Sequence, residues 1–238
     1  MILALLRNRL RECYRRPFPY VAAIGVVLLA AASRAMLGFS FGAETRAAAN
    51  LIVSAVFLAG LLQATFVGTA LVNRDIERGT FGFLLTKPLG LGAYLLGTFV
   101  GLVLCAAILC VCTGMLVAAA FALTGASSTG PLFSAALVRG CLRALFLVFV
   151  LDAAALAASS ALQRVAAPLA LIALFVLSSL AGASGAGGLL PSFELFALDS
   201  GATASSPILA AYALLWCAIF LVLAYIVLSF RTALRANN

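Results

Sequence analysis

The sequence predicts an all-α integral membrane protein, and three observations carry that reading. The chain has 238 residues, 65% of them apolar and 9% charged, with a mean hydropathy of +1.21. Soluble domains carry roughly 45–50% apolar and about 25% charged residues, and no soluble core of this length hides such an excess. Second, the apolar residues fall in long runs that reach the ~20 residues needed to cross a hydrocarbon core. Third, neither β-barrel alternation nor long polar loops are present, so spanning helices satisfy the backbone. A secreted disulfide scaffold and a nucleic-acid-binding domain are excluded as primary readings. The net charge of +8 is read against a membrane, where Lys and Arg mark the cytoplasmic side.

Residues 1–16 form a short amphipathic helix. Leu3, Leu6, Leu10, Cys13 and Tyr14 follow the rhythm of one helical face, and Arg7, Arg11 and Arg15 line another. Such a helix lies in the cytoplasmic interface with arginines on lipid headgroups, and Pro17 and Pro19 end it. The competing reading is the basic region of a signal peptide, with Ala30-Ala31-Ala32 as a cleavage site. Against it, the apolar run beyond Pro19 outlasts a typical signal core of about 7–15 residues.

Six spans are predicted, at 18–37, 50–72, 94–123, 144–163, 166–186 and 208–230. The stretch 88–123 is too long for one straight span. Gly90, Gly92, Gly97 and Gly101 punctuate its start, so a short interfacial piece is expected after Pro88 and a membrane helix from about Tyr94. Gly97-x-x-x-Gly101 permits close helix approach, although glycine is common in membrane helices in any case. Residues 124–131 form an outer turn and 181–188 loosen the end of the fifth span. Residues 187–206 form an extracytoplasmic loop in which 189–198 make a small interfacial or re-entrant helix. The whole of 1–238 is then one transmembrane domain.

Six spans put both ends on one side. On that side fall Arg7, Arg9, Arg11, Arg15, Arg16, Arg74, Arg78, Lys87, Arg164, Arg231 and Arg235, eleven of the 15 basic residues. The other side holds Arg34, Arg46, Arg139 and Arg143. The positive-inside rule makes both termini cytoplasmic.

The chain has no histidine, which removes the common general base and the commonest metal ligand. Six cysteines include no C-x-x-C pair, so neither a metal centre nor a redox motif is expected, and no catalytic residue is assigned. The richest segment is the loop 73–88, NRDIERGTFGFLLTKP, with Arg74, Asp75, Glu77, Arg78 and Lys87. Asp75 and Glu77 are expected near the start of a short helix, where negative charge suits the helix dipole. Phe81, Leu84 and Leu85 give that helix an apolar face. It either docks into a cleft of a soluble partner or rests as a solvated loop on the interface.

The run Glu77-Arg78-Gly79-Thr80-Phe81-Gly82-Phe83-Leu84-Leu85-Thr86-Lys87-Pro88-Leu89 resembles the signature of the type-2 permeases of ATP-binding-cassette (ABC) transporters. That signature is a Glu-x-Gly-Thr, four residues, a Leu-Leu pair and a Pro after the second span. Tyr94-Leu95-Leu96-Gly97 is similar to the family's next segment, with Thr98 where the family often has a lysine. Residues 156–170, around Ser159, Ser160 and Arg164, and Ser229-Phe230-Arg231 also resemble the family. The resemblance implies an interfacial elbow helix at 1–16 and a coupling helix in 73–88. It implies a second permease subunit and cytoplasmic ATPase subunits that carry ATP and magnesium. Coupling to the ATPase would fall to Arg74, Asp75, Glu77, Arg78, Gly79, Thr80, Leu84, Leu85, Pro88 and Arg164. No G-x-x-x-x-G-K-[ST] loop is present, since Lys87 is the sole lysine and a proline comes after it, so ATP hydrolysis falls to a partner.

Asp152 lies near the middle of the fourth span. A charge there costs at least about 2.5–3.5 kcal/mol, so it is expected neutral, paired or facing a wet cavity. A helix–helix hydrogen bond is the plainer role and a polar contact on a transport path the sharper one. Arg139 and Arg143 at the outer end of that helix reach headgroups or serve an anion exit. Arg34, Glu44 and Arg46 form a weak outer ion-pair group. The expected function is ATP-driven export of an amphipathic or hydrophobic substrate through a dimer in the inner membrane, with lipid as the other partner. The alternative is a non-transporting scaffold or assembly factor in an ABC-like complex.

Overall fold

A computed structural model describes residues 44–77, 90–123, 135–183 and 206–236, together with Arg7, Arg9, Arg11, Glu12, Ile24 and Gly25. Among these the structure is helical with no strand. The order is α1 (Glu44–Gln63), a π-helical turn (Ala64–Gly68), α2 (Thr69–Glu77), α3 (Leu91–Leu123), α4 (Ala135–Ala161), α5 (Ala166–Ala183) and α6 (Ser206–Ala236). Among the described residues, four helical stretches are long and apolar enough to cross a membrane: Asn50–Glu77, Leu91–Leu116, Val138–Ala161 and Pro207–Thr232. Ala166–Leu180 is a shorter apolar helix. The expected first span, 18–37, lies outside the described residues apart from Ile24 and Gly25, as do the elbow between the four described positions, the run 78–88 and the loop 187–205.

α1, the π turn and α2 run on as one helix, and from α2 onward successive helices alternate in direction. Side-chain contacts join the end of α2 to the start of α3, and the end of α2 to the turn after α4. Another joins the end of α4 to the last turns of α6. One end of the bundle therefore gathers the ends of α2, α4 and α6 with the starts of α3 and α5.

α4 is the central helix and packs against α1, α2, α3, α5, α6 and the π turn. Its sequence explains this. In Asp152-Ala153-Ala154-Ala155-Leu156-Ala157 alanine dominates every face, and all six residues are buried. In lipid, where apolar contacts with neighbours and with acyl chains are alike, close backbone approach and dispersion drive association. The partners of α4 supply the same feature. A Cβ on Gly60 would lie 2.2 Å from Cγ2 of Val148, and one on Gly68 would lie 3.0 Å from Cβ of Ala155. Ala64, Leu147, Leu151, Leu171, Leu209 and Ala213 close one apolar cluster around α4. Val67, Leu71, Tyr94, Leu95, Leu102, Leu156 and Leu228 close another.

Away from α4 the helices turn large apolar side chains outward. On α3 these are Leu96, Val100, Leu104, Ile108, Val111 and Met115, at spacings of three and four residues. On α5 they are Leu169, Ile172, Val176 and Leu180. A helical stripe of this kind faces hydrocarbon.

Two expectations are corrected. α3 runs unbroken from Leu91 to Leu123, 33 residues, so the helix is already under way at Tyr94 with no break there. Gly90 only starts it, accepting from the N–H groups of Ala93 and Tyr94. Glycines do not stop a helix whose backbone has no water to turn to. Second, Asp75 and Glu77 do not open a new helix. Both belong to α2, which also holds residues 69–74 before them.

Candidate functional site

Those two acids are compensated by basic residues brought from elsewhere, and the resulting cluster is the candidate site. Asp75 is gripped by the guanidinium of Arg9. One nitrogen donates to Oδ1 at 3.4 Å and the other makes a closer bond to Oδ2. Tyr94, in the first turns of α3, donates its hydroxyl to Asp75 Oδ2 at 2.6 Å. Arg9 also donates to the Tyr94 oxygen at 3.3 Å, and its charge lies 5.7 Å from the centre of that ring. Glu12 extends the set, 3.3 Å from Arg9 and 3.5 Å from Arg74.

The cluster is built by sequence-local means. Asp75 and Arg74 share the last turns of α2, and Arg9 and Glu12 are three residues apart on one helical face. Gly101 admits the N-terminal segment, since a Cβ there would meet Arg9 Cβ at 3.0 Å. Arg9 thus lays its stem on α3 and sends its head back two turns toward Tyr94. Burial of the Arg9 head opposes its charge. The hydrogen bond to Asp75 and the charges around it outweigh burial and hold the guanidinium above the ordinary arginine value.

A second contact lies on the outside. Arg164, in the turn between α4 and α5, is 3.6 Å from Glu77, and both side chains are about half exposed or more, at 60% and 49%. The turn itself is tied by Leu162 N–H to Ala158 O at 2.8 Å and Ala167 N–H to Gln163 O at 3.0 Å. Arg231 of α6 donates to the carbonyl of Ala161 at 2.7 Å and so caps the end of α4. Ser159 and Ser160 are buried and bond back to Leu156 O and Ala157 O.

Of the coupling residues expected from the sequence, the structure brings Glu77 and Arg164 together and leaves them open to solvent. Arg74 is partly exposed. Asp75 is partly buried and turns onto Arg9 and Tyr94. Arg78, Gly79, Thr80, Leu84, Leu85 and Pro88 lie outside the described residues. Asp152 is fully buried, with Oδ1 3.9 Å from the Cβ position of Gly68, and so faces the π turn inside the helix packing. Arg139 and Arg143 sit in the first turns of α4, at the opposite end from the cluster, about two and a half turns or more from Asp152. Glu44 and Arg46 lie in α1, with side chains outside the described residues, as is Arg34.

Arg9 and Tyr94 are site residues that the sequence reading did not single out. The signal for Arg9 was present. At about 100° per residue it falls on the far side of the helix from Arg7 and Arg11 and near Leu6 and Cys13. Arg7 and Arg11 are exposed and Arg9 is 4% exposed. An arginine beside the apolar face of an amphipathic helix calls for a buried acid.

The cluster holds charge and hydrogen bonds in balance and carries no nucleophile–base arrangement. Its chemistry is that of a joint: it fixes the N-terminal segment, α2 and α3 to each other beside an exposed ionic patch. No protein-family model matches the chain. It is 43% identical over 81 residues to a protein of Stutzerimonas stutzeri described as "Probable ABC transporter permease protein NosY", a match that takes in 34% of this chain and 28% of that relative.

Proposed function

We infer that the chain is the permease subunit of an ABC transporter of the type-2 kind. The meeting of Glu77 and Arg164 carries this reading. It joins the start of the run that resembles the family's coupling helix to the turn between α4 and α5, on the exposed end of the bundle. The likeness to a probable ABC permease supports the same class. In this reading the chain crosses the inner membrane six times, with both termini and the Glu77–Arg164 patch cytoplasmic. It pairs with a second permease subunit and seats residues 73–88 on a separate ATPase that binds ATP and magnesium. Asp75 acts as a positioning residue, since it faces Arg9 and Tyr94. Glu77, Arg164 and the partly exposed Arg74 meet the partner. Movement of the ATPase then reaches the spans through coupled rigid elements. The cargo is an amphipathic or hydrophobic substrate moved outward, because the spans carry few charges.

The test is purification from native membranes in mild detergent, with each stoichiometric companion identified. A companion with a phosphate-binding loop is expected, and Glu77→Lys or Arg164→Glu should release it while leaving the permease monodisperse. A chain that purifies with no ATP-binding companion under these conditions overturns the reading.

A further inference from the structure

The second crossing is interrupted where its two halves meet. Over Ala64–Gly68 the helix widens, and the N–H of Thr69 bonds the carbonyl of Ala64, five residues back. In an α-helix that N–H would take the carbonyl of Thr65. The carbonyl left over is filled by the same residue's side chain, because the Thr69 hydroxyl donates to Thr65 O. The pattern repeats along one face: Thr65 donates to Leu61 O at 2.7 Å and Asn73 to Thr69 O at 3.3 Å. All three side chains are buried. A π turn holds one residue more than an α-helix needs, and such turns are frequent at functional positions. Gly68 closes the turn against α4, where a larger residue would meet Ala155. Two turns further on, Asp75 is held by Arg9 and Tyr94.

We propose that Thr69–Glu77 is a rotatable segment, with the π turn as its bearing and the Arg9–Asp75–Tyr94 cluster as the latch that sets its angle. If the extra residue is taken up, the Thr69 N–H passes from Ala64 O to Thr65 O and the turn becomes α-helical. Everything after it then rotates by about 100° and advances about 1.5 Å. No backbone carbonyl is stranded at Thr65 in either state, because the Thr69 hydroxyl covers it while the wide turn exists and the Thr69 N–H takes it afterwards. The rotation carries Asp75 away from Arg9 and Tyr94 and separates Glu77 from Arg164. The exposed pair yields easily and the largely buried Arg9–Asp75 pair resists, so the latch decides which state is populated. The rotation goes beyond the permease reading and stands without it.

Amide hydrogen exchange of the full chain in lipid nanodiscs tests it. Asp75→Asn and Arg9→Asp should each speed exchange in 70–77 by about tenfold, as loss of a charge-assisted buried pair implies, while 51–63 stays as in the wild type. The swapped pair R9D/D75R should restore slow exchange. Thr69→Val should act like Asp75→Asn, and Thr69→Ser, which keeps the hydroxyl, should not. Unchanged exchange in Asp75→Asn overturns the latch. Faster exchange that spreads equally to 51–63 overturns the bearing, because it marks general loosening. Thr69→Ser matching Thr69→Val overturns the role of the hydroxyl.

Discussion

A methyl group on Gly60 would sit 2.2 Å from Cγ2 of Val148, well inside contact distance, and the atom it meets is on the central helix. Overpacking of this kind costs about 1–3 kcal/mol. Gly60→Ala is therefore expected to lower the melting temperature of the detergent-purified protein by several degrees, and Val148→Ala in the same chain should recover most of the loss. A lone Gly60→Ala that melts like the wild type would contradict this packing. The constraint was not legible in the sequence. Gly97 and Gly101 drew notice through their spacing, whereas Gly60 and Gly68 stand eight apart and reveal themselves only once α4 is beside them. Arg9 was legible in principle, from its angle on the helix, but its partner Asp75 lies 66 residues away. Nothing local names that pairing.

At the scale of elements, a helix end without its own cap borrows one. Arg231 reaches from α6 to the carbonyl of Ala161 at 2.7 Å, so the end of α4 depends on α6. Arg231→Ala should cost about 0.5–1.5 kcal/mol, read as faster amide exchange confined to the turn after α4, with Arg231→Lys intermediate. If exchange there does not change, the cap contributes nothing. Helix existence was legible throughout the described residues, because uninterrupted apolar runs leave the backbone no other solution. Boundaries were less so. The dipole rule predicts a helix start at the acids at 75 and 77, and they lie instead within α2, with Arg9 and Arg164 opposing their charge from other elements. The extra residue in the π turn leaves no pattern in composition, since Ala64-Thr65-Phe66-Val67-Gly68 is ordinary membrane-helix sequence.

For the molecule as a whole, the alternation of the helices and the distribution of arginines point the same way. The end that gathers Arg74, Arg164 and Arg231 is the basic one, and Arg139 and Arg143 lie at the other. Single cysteines placed at Glu77 and at Val138, in a chain otherwise free of cysteine, should label from opposite sides of sealed membrane vesicles. The Glu77 site is expected on the cytoplasmic side. Labelling of both from one side would refute the arrangement. What the sequence could not supply at this scale is the hub. The alanine- and serine-rich run 152–160 read as part of one apolar span among six, and only the assembled bundle shows that all the other described helices lean on that span.

Among the described side chains, the outward stripe of α3 runs at least from Leu96 to Met115. From Leu96 to Met115 it spans nineteen steps, about 28 Å at 1.5 Å each, close to the ~30 Å of an ordinary hydrocarbon core. The described part of the stripe is therefore a ruler about as long as the core of the bilayer is thick. Lipids with shorter acyl chains would leave one end of the stripe in water unless α3 tilts or the leaflet swells around it. Tyr94, which ties the latch, lies two residues from the end of that ruler, so a tilt of α3 would be felt first at Asp75. Membrane thickness thus bears on the angle of Thr69–Glu77 through the same hydroxyl that holds it.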